Sequence, residues 1–338
     1  MTTILAAIFV FGVLVTVHEF GHFITAKLTG MRVDEFAVGF GPKIYQTKEG
    51  ETQYSLRLIP LGGYNKIAGM DPEEEATPDG FSSKPILSRM LVILAGPIMN
   101  FILPLLLFFC IFATTGIDQP VNENIIGDVI PGKPAAQAGL MAGDKILSVN
   151  GETVTTFDGL VVSLAKNPNS EVVLEVERAG KVSEYKLFSE YNEEFKRPLI
   201  GVYPTFVKQS LSVLDAAQLS VSYTKNVILG MINGLIRIFS GNAPADVSGP
   251  IGVAQMAGEV AQQGLMPLLN FVAFLSINLG IMNLLPIPAL DGGHLIVLSI
   301  EALRGKPIGS KAMNMIQMIG FAIIITITVV ATFMDLTK

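Results

Sequence analysis

Apolar residues fall along this chain in four long blocks, with the polar residues gathered between them. The blocks cover residues 4–26, 90–113, 265–290 and 312–334. Each is near the roughly 20 residues that a helix needs to cross the apolar core of a bilayer. The last three hold no charged residue, and the first holds only Glu19, with His18 and His22 beside it. Between the blocks the period changes. Ile44, Tyr45, Tyr54, Leu56 and Leu58 flank a turn at Glu49-Gly50-Glu51, which predicts a β-hairpin over 43–59. Gly39-Phe40-Gly41-Pro42 and Leu61-Gly62-Gly63-Tyr64 bracket that hairpin. The stretch from Asp71 through Pro72 to Asp79 is acidic and rich in helix breakers, and reads as a solvated loop.

From about residue 122 to 206 charged residues become frequent, and Val172-Val173-Leu174-Glu175-Val176-Glu177 alternates as a half-buried strand does. Within 130–151 a short helix is expected after Pro134, glycines supply turns, and a strand ends in an Asn150-Gly151 turn. Residues 212–239 place Val213, Ala217, Val227, Met231, Leu235 and Ile238 at roughly helical spacing, interrupted by Lys225, Asn226, Asn233 and Arg237. That pattern predicts an amphipathic helix on the outer membrane surface; a fifth span is the alternative. Ser248-Gly249-Pro250-Ile251-Gly252 is expected as a loop leading into the third block.

Composition agrees with a membrane protein. Half of the 338 residues are hydrophobic and 15% are charged, against about 25% in soluble domains. The net charge of −6 and the lack of a basic cluster argue against nucleic-acid binding. One cysteine, Cys110, excludes an intrachain disulfide. The first basic residue is Lys27, so the first block lacks the positive start of a signal peptide. Lys27 and Arg32 follow block one, Lys84 and Arg89 precede block two, and Arg304, Lys306 and Lys311 lie between blocks three and four. The positive-inside rule puts all three flanks in the cytoplasm and both termini outside.

The chemistry is concentrated in His18-Glu19-Phe20-Gly21-His22. Two histidines four apart share one helix face and can bind one metal ion, and Glu19 beside them can take a proton from a water held there. Imidazole suits Zn²⁺, and a catalytic site uses three protein ligands. Ionisable groups at membrane depth are costly and read as functional by default. The chain has only three histidines, and the third, His294, follows Asp291-Gly292-Gly293. Asp291 is the preferred third ligand and His294 its rival. Both sides of the topology put His22 and Asp291 at the cytoplasmic ends of their blocks. Two prolines, Pro286 and Pro288, stop the third block just before Asp291. Asn283, uncharged and polar within that block, could bond a substrate backbone or a developing oxyanion. Asn100 in block two is either a partner of the metal site or an interhelical hydrogen bond.

These motifs together resemble the site-2 protease family, the zinc intramembrane metalloproteases, in its bacterial PDZ-containing branch. The resemblance rests on the H-E-x-x-H run, Gly96-Pro97-Ile98-Met99-Asn100, the 130–151 run, Ser248-Gly249-Pro250-Ile251 and the stretch from Asn283 to Gly293. It implies His18, His22 and Asp291 as ligands of Zn²⁺, Glu19 as catalytic base, Asn283 as a substrate-handling residue and a membrane-associated hairpin after the first span. The expected fold is a polytopic α-helical membrane protein with four transmembrane helices, a membrane-associated β-hairpin and one extracytoplasmic PDZ domain of α+β type. The expected layout is a first membrane half over 1–121, the PDZ domain over 122–208, an amphipathic interfacial helix and loop over 209–264, and a second membrane half over 265–338. The chain has room for one PDZ domain where the enterobacterial type has two in tandem.

The resemblance further implies a protease of the bacterial cytoplasmic membrane. Its partners would be the lipid bilayer and single-span substrates already trimmed outside, such as anti-sigma factors and remnant signal peptides. A peptide ligand of the PDZ domain is also expected, a size filter being the alternative. Two rival readings come from other classes. An inactive PDZ-bearing adaptor would have no need for an ionisable cluster at membrane depth. A metal transporter would carry further acids in its other spans, and there are none.

Overall fold

The computed structural model describes residues 2–71, 73–75, 77–192, 196–242 and 248–337, with the backbone alone at Leu61. Pro72 of the expected acidic loop lies outside the described residues. The chain divides into two units, Met1–Ala113 with Val213–Lys338, and Thr114–Ser212.

The first unit begins with α1, Thr2–Leu28. At 1.5 Å per residue its 27 residues measure about 40 Å, more than a bilayer core. A long hairpin follows, β1 at Val33–Glu49 and β2 at Thr52–Ile67. It contains the expected 43–59 hairpin and extends well beyond it. Both strands fold back on themselves, so residues 35–38 pair with 53–56 on one side and with 63–66 on the other. Gly39, at φ +90°, supplies the bend in β1 with a backbone that a side chain would strain. The apolar residues Ile44, Tyr45, Leu58 and Ile59 are exposed along the hairpin. Next comes α2, Ile86–Thr115, a helix with Pro97 and Pro104 in its interior.

The second unit is strand-rich. Its elements are β3 Ile117–Pro120, β4 Ile126–Val129, α3 Pro134–Gln137, β5 Lys145–Val149, β6 Glu152–Thr153, α4 Phe157–Ala165, β7 Ser170–Arg178, β8 Lys181–Asn192, β9 Arg197–Leu199, β10 Val202–Pro204 and β11 Phe206–Gln209. Five strands form one sheet in the order β6-β5-β7-β8-β9, while β10 pairs with β4 and β11 with β3. The alternation read at 172–177 is real: Val172, Leu174 and Val176 are fully buried and join Ile146, Leu160 and Ile200 in the core. At the edge of that core Asp144 is buried. Its oxygens accept from Arg178 Nε and Nη2, each at 2.6 Å, and from the Met141 N–H at 2.9 Å.

The chain then returns to the first unit through α5 Val213–Phe239, α6 Pro250–Gln263, α7 Leu265–Leu284, α8 Asp291–Arg304 and α9 Ser310–Thr337. Four described helices, α1, α2, α7 and α9, are long and apolar enough to cross a membrane, and they match the four apolar blocks. Val10 and Leu14 of α1 pack with Leu268 and Val272 of α7 and Ala257 of α6. Phe108 of α2 packs with Ala273, Ile277 and Ile281 of α7, and Val227, Met231 and Leu235 of α5 lie against this cluster. The Tyr223 ring of α5 meets Phe108 edge-on at 4.8 Å.

Two departures from the sequence reading concern short helices. Residues 250–252 are the first turn of α6, not a loop. Pro250 sits at the start of that helix, where a missing N–H costs nothing. The Asp335 carboxylate, from the last turns of α9, accepts from the N–H groups of Gly249 and Gly252 at 3.0 and 2.8 Å. The third block also ends as a helix at Leu284, and after the proline-bearing turn Asp291 opens the separate helix α8.

The Asp144 contacts make a testable statement about the second unit. Burial pushes the Asp144 carboxyl up, but the Arg178 guanidinium and the Met141 N–H outweigh it and hold the group below its usual range. A carboxylate depressed in the folded state stabilises above its unfolded pKa of about 3.9 and loses that contribution as pH falls below it. In the full chain, hydrogen exchange at residues 172–178 should accelerate as pH drops from 5 to 3 beyond the intrinsic rate change, and less so in Asp144→Asn. Asp144→Ala should cost about 2 kcal/mol at neutral pH. Equal pH responses in wild type and Asp144→Asn would refute the assignment.

Candidate metal centre

The helical period of α1 delivers what the spacing promises. His18 and His22 lie on its buried face, their rings 4.8 Å apart and nearly perpendicular. Their Nε2 atoms are 3.2 Å from each other. Asp291, carried to this point by the turn that ends α7, places Oδ2 3.2 Å from His18 Nε2 and 3.6 Å from His22 Nε2. That oxygen is buried and has no hydrogen-bond partner among the described residues. One ligand atom from each residue falls within 4.8 Å of the others, and among the described residues this is the one such group of histidine, cysteine and acidic side chains. A cavity of about 290 Å³ opens onto it and is lined by His18, Glu19, His22, Asn283 and Asp291, together with Tyr64 and Asn65 of β2. His18, Glu19, His22, Asn283 and Asp291 therefore share one cavity. His294 does not: it lines a neighbouring cavity of about 390 Å³ with Arg89, Glu301 and Gln317.

The histidines are held from behind by α2. His22 Nδ1 bonds the Val92 carbonyl oxygen at 2.8 Å, and His18 Nδ1 lies 3.0 Å from Asn100 Nδ2. Val92, Gly96 and Asn100 are spaced four apart and form one stripe of the helix. Gly96 is the contact point. A Cβ there would sit 2.3 Å from His22 Nε2 and 2.8 Å from His18 Cε1, so any side chain would drive the helix off the imidazoles.

Glu19 points to the other wall, made by β2. Asn65 Nδ2 donates to the Glu19 carbonyl at 2.5 Å and to Glu19 Oε2 at 2.8 Å. Sequence reasoning missed Asn65 because Leu61-Gly62-Gly63-Tyr64 was taken as the bracket of a hairpin and not as a strand that reaches the site. Behind it, Glu35 anchors the curled hairpin. Its Oε1 accepts from Ser55 Oγ at 2.6 Å and Arg57 Nη2 at 2.9 Å, and Lys43 Nζ lies 3.2 Å away. Burial raises the Glu35 carboxyl, but these donors prevail and lower it to about 2. Arg57 also donates to the hydroxyl of Tyr64, on the cavity wall.

Comparison with known proteins now adds a name for the kind of molecule. The model of peptidase family M50 matches residues 6–327. The chain belongs to peptidase family M50. This is the site-2 protease family that its motifs resemble. A Clostridium acetobutylicum relative is 37% identical over 333 residues, covering 98% of this chain and 96% of the relative. The regulator of sigma-W protease RasP of Bacillus subtilis is 32% identical, covering 100% of this chain and 99% of the relative. The zinc metalloprotease RasP of Geobacillus kaustophilus is 33% identical, covering 100% and 98%.

This M50 peptidase is a zinc metalloprotease and a membrane protein. The donor set fits zinc: two imidazoles offering Nε2, with Nδ1 engaged on the far side, and one carboxylate oxygen with no other hydrogen-bond partner among the described residues.

Gly96→Ala is expected to weaken zinc binding to the purified M50 peptidase by at least about 10-fold, the scale of lost outer-shell support. Gly230→Ala on α5, where a Cβ meets nothing within 4 Å, serves as the control and should bind zinc as wild type does. Equal affinities for the two variants would show that the α1–α2 approach does not shape the centre.

Proposed function

We propose that this M50 peptidase hydrolyses peptide bonds within the membrane segments of single-span proteins that have already been trimmed outside, anti-sigma factors and remnant signal peptides among them. The observation that carries the reading is the single cavity shared by His18, Glu19, His22, Asn283 and Asp291 on helices able to cross a membrane. His18, His22 and Asp291 are the zinc ligands. Bound there, zinc supplies Lewis acidity that makes a water nucleophilic near neutral pH and polarises a carbonyl.

The protein's own groups do the rest. Glu19 is the general base: it takes a proton from the attacking water and returns it to the leaving amide nitrogen. Asn65 holds Glu19 Oε2, which orients the carboxylate and directs the proton to Oε1. Asn283 supplies a side-chain amide to the developing oxyanion. The substrate must reach the site extended, because a helix hides its amides in its own hydrogen bonds. Residues 63–66 pair with 35–38 along one edge; their other edge takes the substrate by strand addition.

The same reading orders the rest of the chain. Basic flanks put the ends of α1 and α7 that bear the site on the cytoplasmic side, and cleavage frees a cytosolic fragment. The second unit is an extracytoplasmic PDZ domain. Among the described residues its strand β10 pairs with β4 alone, and a cavity of about 200 Å³ lies between β10 and α4, lined by Phe157, Leu160, Leu164, Val202 and Tyr203. An extended peptide fits there by strand addition. The inactive-adaptor reading leaves the converged Glu19, histidines and Asp291 without a use.

Cleavage of a model single-span substrate by purified protein tests the proposal. Glu19→Gln should retain zinc and lose about 10²–10⁴-fold in rate, the contribution of a positioned general base. Equal rates in wild type and Glu19→Gln, both zinc-loaded, would remove Glu19 from the mechanism. A zinc-loaded wild type inert on a panel of trimmed substrates would favour the adaptor.

A further inference from the structure

We propose that Asn100 is the positioning residue that sets the tautomer of His18: its side-chain oxygen accepts the Nδ1 proton and leaves the Nε2 lone pair for the metal. The proposal rests on the reading of His18 as a ligand. The two histidines of the pair are supported differently. His22 Nδ1 faces a main-chain acceptor, the Val92 carbonyl, which fixes its proton on Nδ1 whatever the side chain at 92. His18 Nδ1 faces only a side chain, the carboxamide of Asn100 at 3.0 Å. A histidine that gives Nε2 to a metal carries its proton on Nδ1 and needs an acceptor for it.

Asn100 has an acceptor to give. It is wholly buried, and its Oδ1 has no hydrogen-bond partner among the described residues. The amide oxygen and nitrogen are nearly isosteric, and a half-turn about the Cβ–Cγ bond exchanges them. With the oxygen turned to His18, Nδ1 donates and the orphaned acceptor is satisfied in the same step.

The main chain of Asn100 is itself pinned. Pro104 stands four residues on and has no N–H for the Asn100 carbonyl. Ser276 Oγ of α7 donates to that carbonyl instead, at 2.8 Å. A proline-made vacancy in the α2 ladder is thus filled from α7, and the residue behind His18 is tied to the helix that carries Asn283. Sequence spacing alone left Asn100 open between a metal-site partner and an interhelical hydrogen bond. Its side chain meets His18 and its carbonyl meets Ser276, so one residue makes both contacts.

The experiment is zinc affinity of the full-length purified protein, measured by chelator competition, for wild type, Asn100→Leu, Asn100→Asp and His18→Ala. Thermal unfolding of the same samples reports whether each variant is folded. Asn100→Leu keeps the shape and removes the acceptor, and should weaken zinc by about 10–100-fold. Asn100→Asp restores an acceptor and should recover affinity to within a few-fold of wild type. A purely packing role predicts the reverse order, since a buried carboxylate without a partner costs more than an apolar side chain. Asn100→Leu at wild-type affinity, or Asn100→Asp as weak as Asn100→Leu, overturns the proposal. If Asn100→Leu does not fold, Asn100→Ser, too short to reach Nδ1, takes its place in the comparison with Asn100→Asp. Wild-type affinity in His18→Ala would instead overturn the ligand reading, which separates the two failures.

Discussion

Two buried imidazoles and a half-buried carboxylate sit where most neighbours are apolar, and polar groups placed there without partners cost several kcal/mol each. Much of the surrounding architecture answers that constraint. Each ring nitrogen facing away from the centre is met by α2, through Val92 and Asn100. Each facing inward meets Asp291. Glu19 is met by Asn65 of the hairpin. The membrane-capable helices α1, α2 and α7 are apolar over most of their length, so van der Waals packing brings them together but does not choose their rotation. The polar contacts at the centre choose it.

Breaks in regular structure supply the needed reach. A straight α7 would carry Asp291 past the histidines, but the helix ends at Leu284 and the proline-bearing turn brings the chain back. Pro104 weakens the α2 ladder and opens one carbonyl to Ser276. The curl of the hairpin lets residues 63–66 approach Glu19 while Glu35, Arg57 and Ser55 hold the fold-back from behind. In the last two cases an irregular backbone is repaired by a polar side chain, as a low-dielectric setting requires.

Much of this was legible in the sequence, and for definable reasons. A run of some 20 apolar residues has few alternatives to a spanning helix, and His18 and His22 carry their geometry in a spacing of four. Asp291 stood out as an acid at the same cytoplasmic end of its block as His22. The short helices α6 and α8 were hidden because they open on Gly-Pro and Asp-Gly-Gly, which read as loops. Pro250 is harmless at a helix start, and the group that caps α6 is Asp335, far along the chain. Asn65 was hidden for the complementary reason: glycines beside it signal a turn, whereas the strand continues through them because 35–38 pairs on both edges.

The centre also imposes an order in time. Its histidines lie on α1, and Asp291 opens α8. About 270 residues separate them, tens of seconds of synthesis at 5–20 residues per second. Throughout that interval the nascent chain holds two imidazoles without their carboxylate. On the proposed assignment of Asp291 as third ligand, the centre stays incomplete until α8 has been made. Separation of the donors along the chain thus ties completion of the centre to the synthesis of α7 and α8.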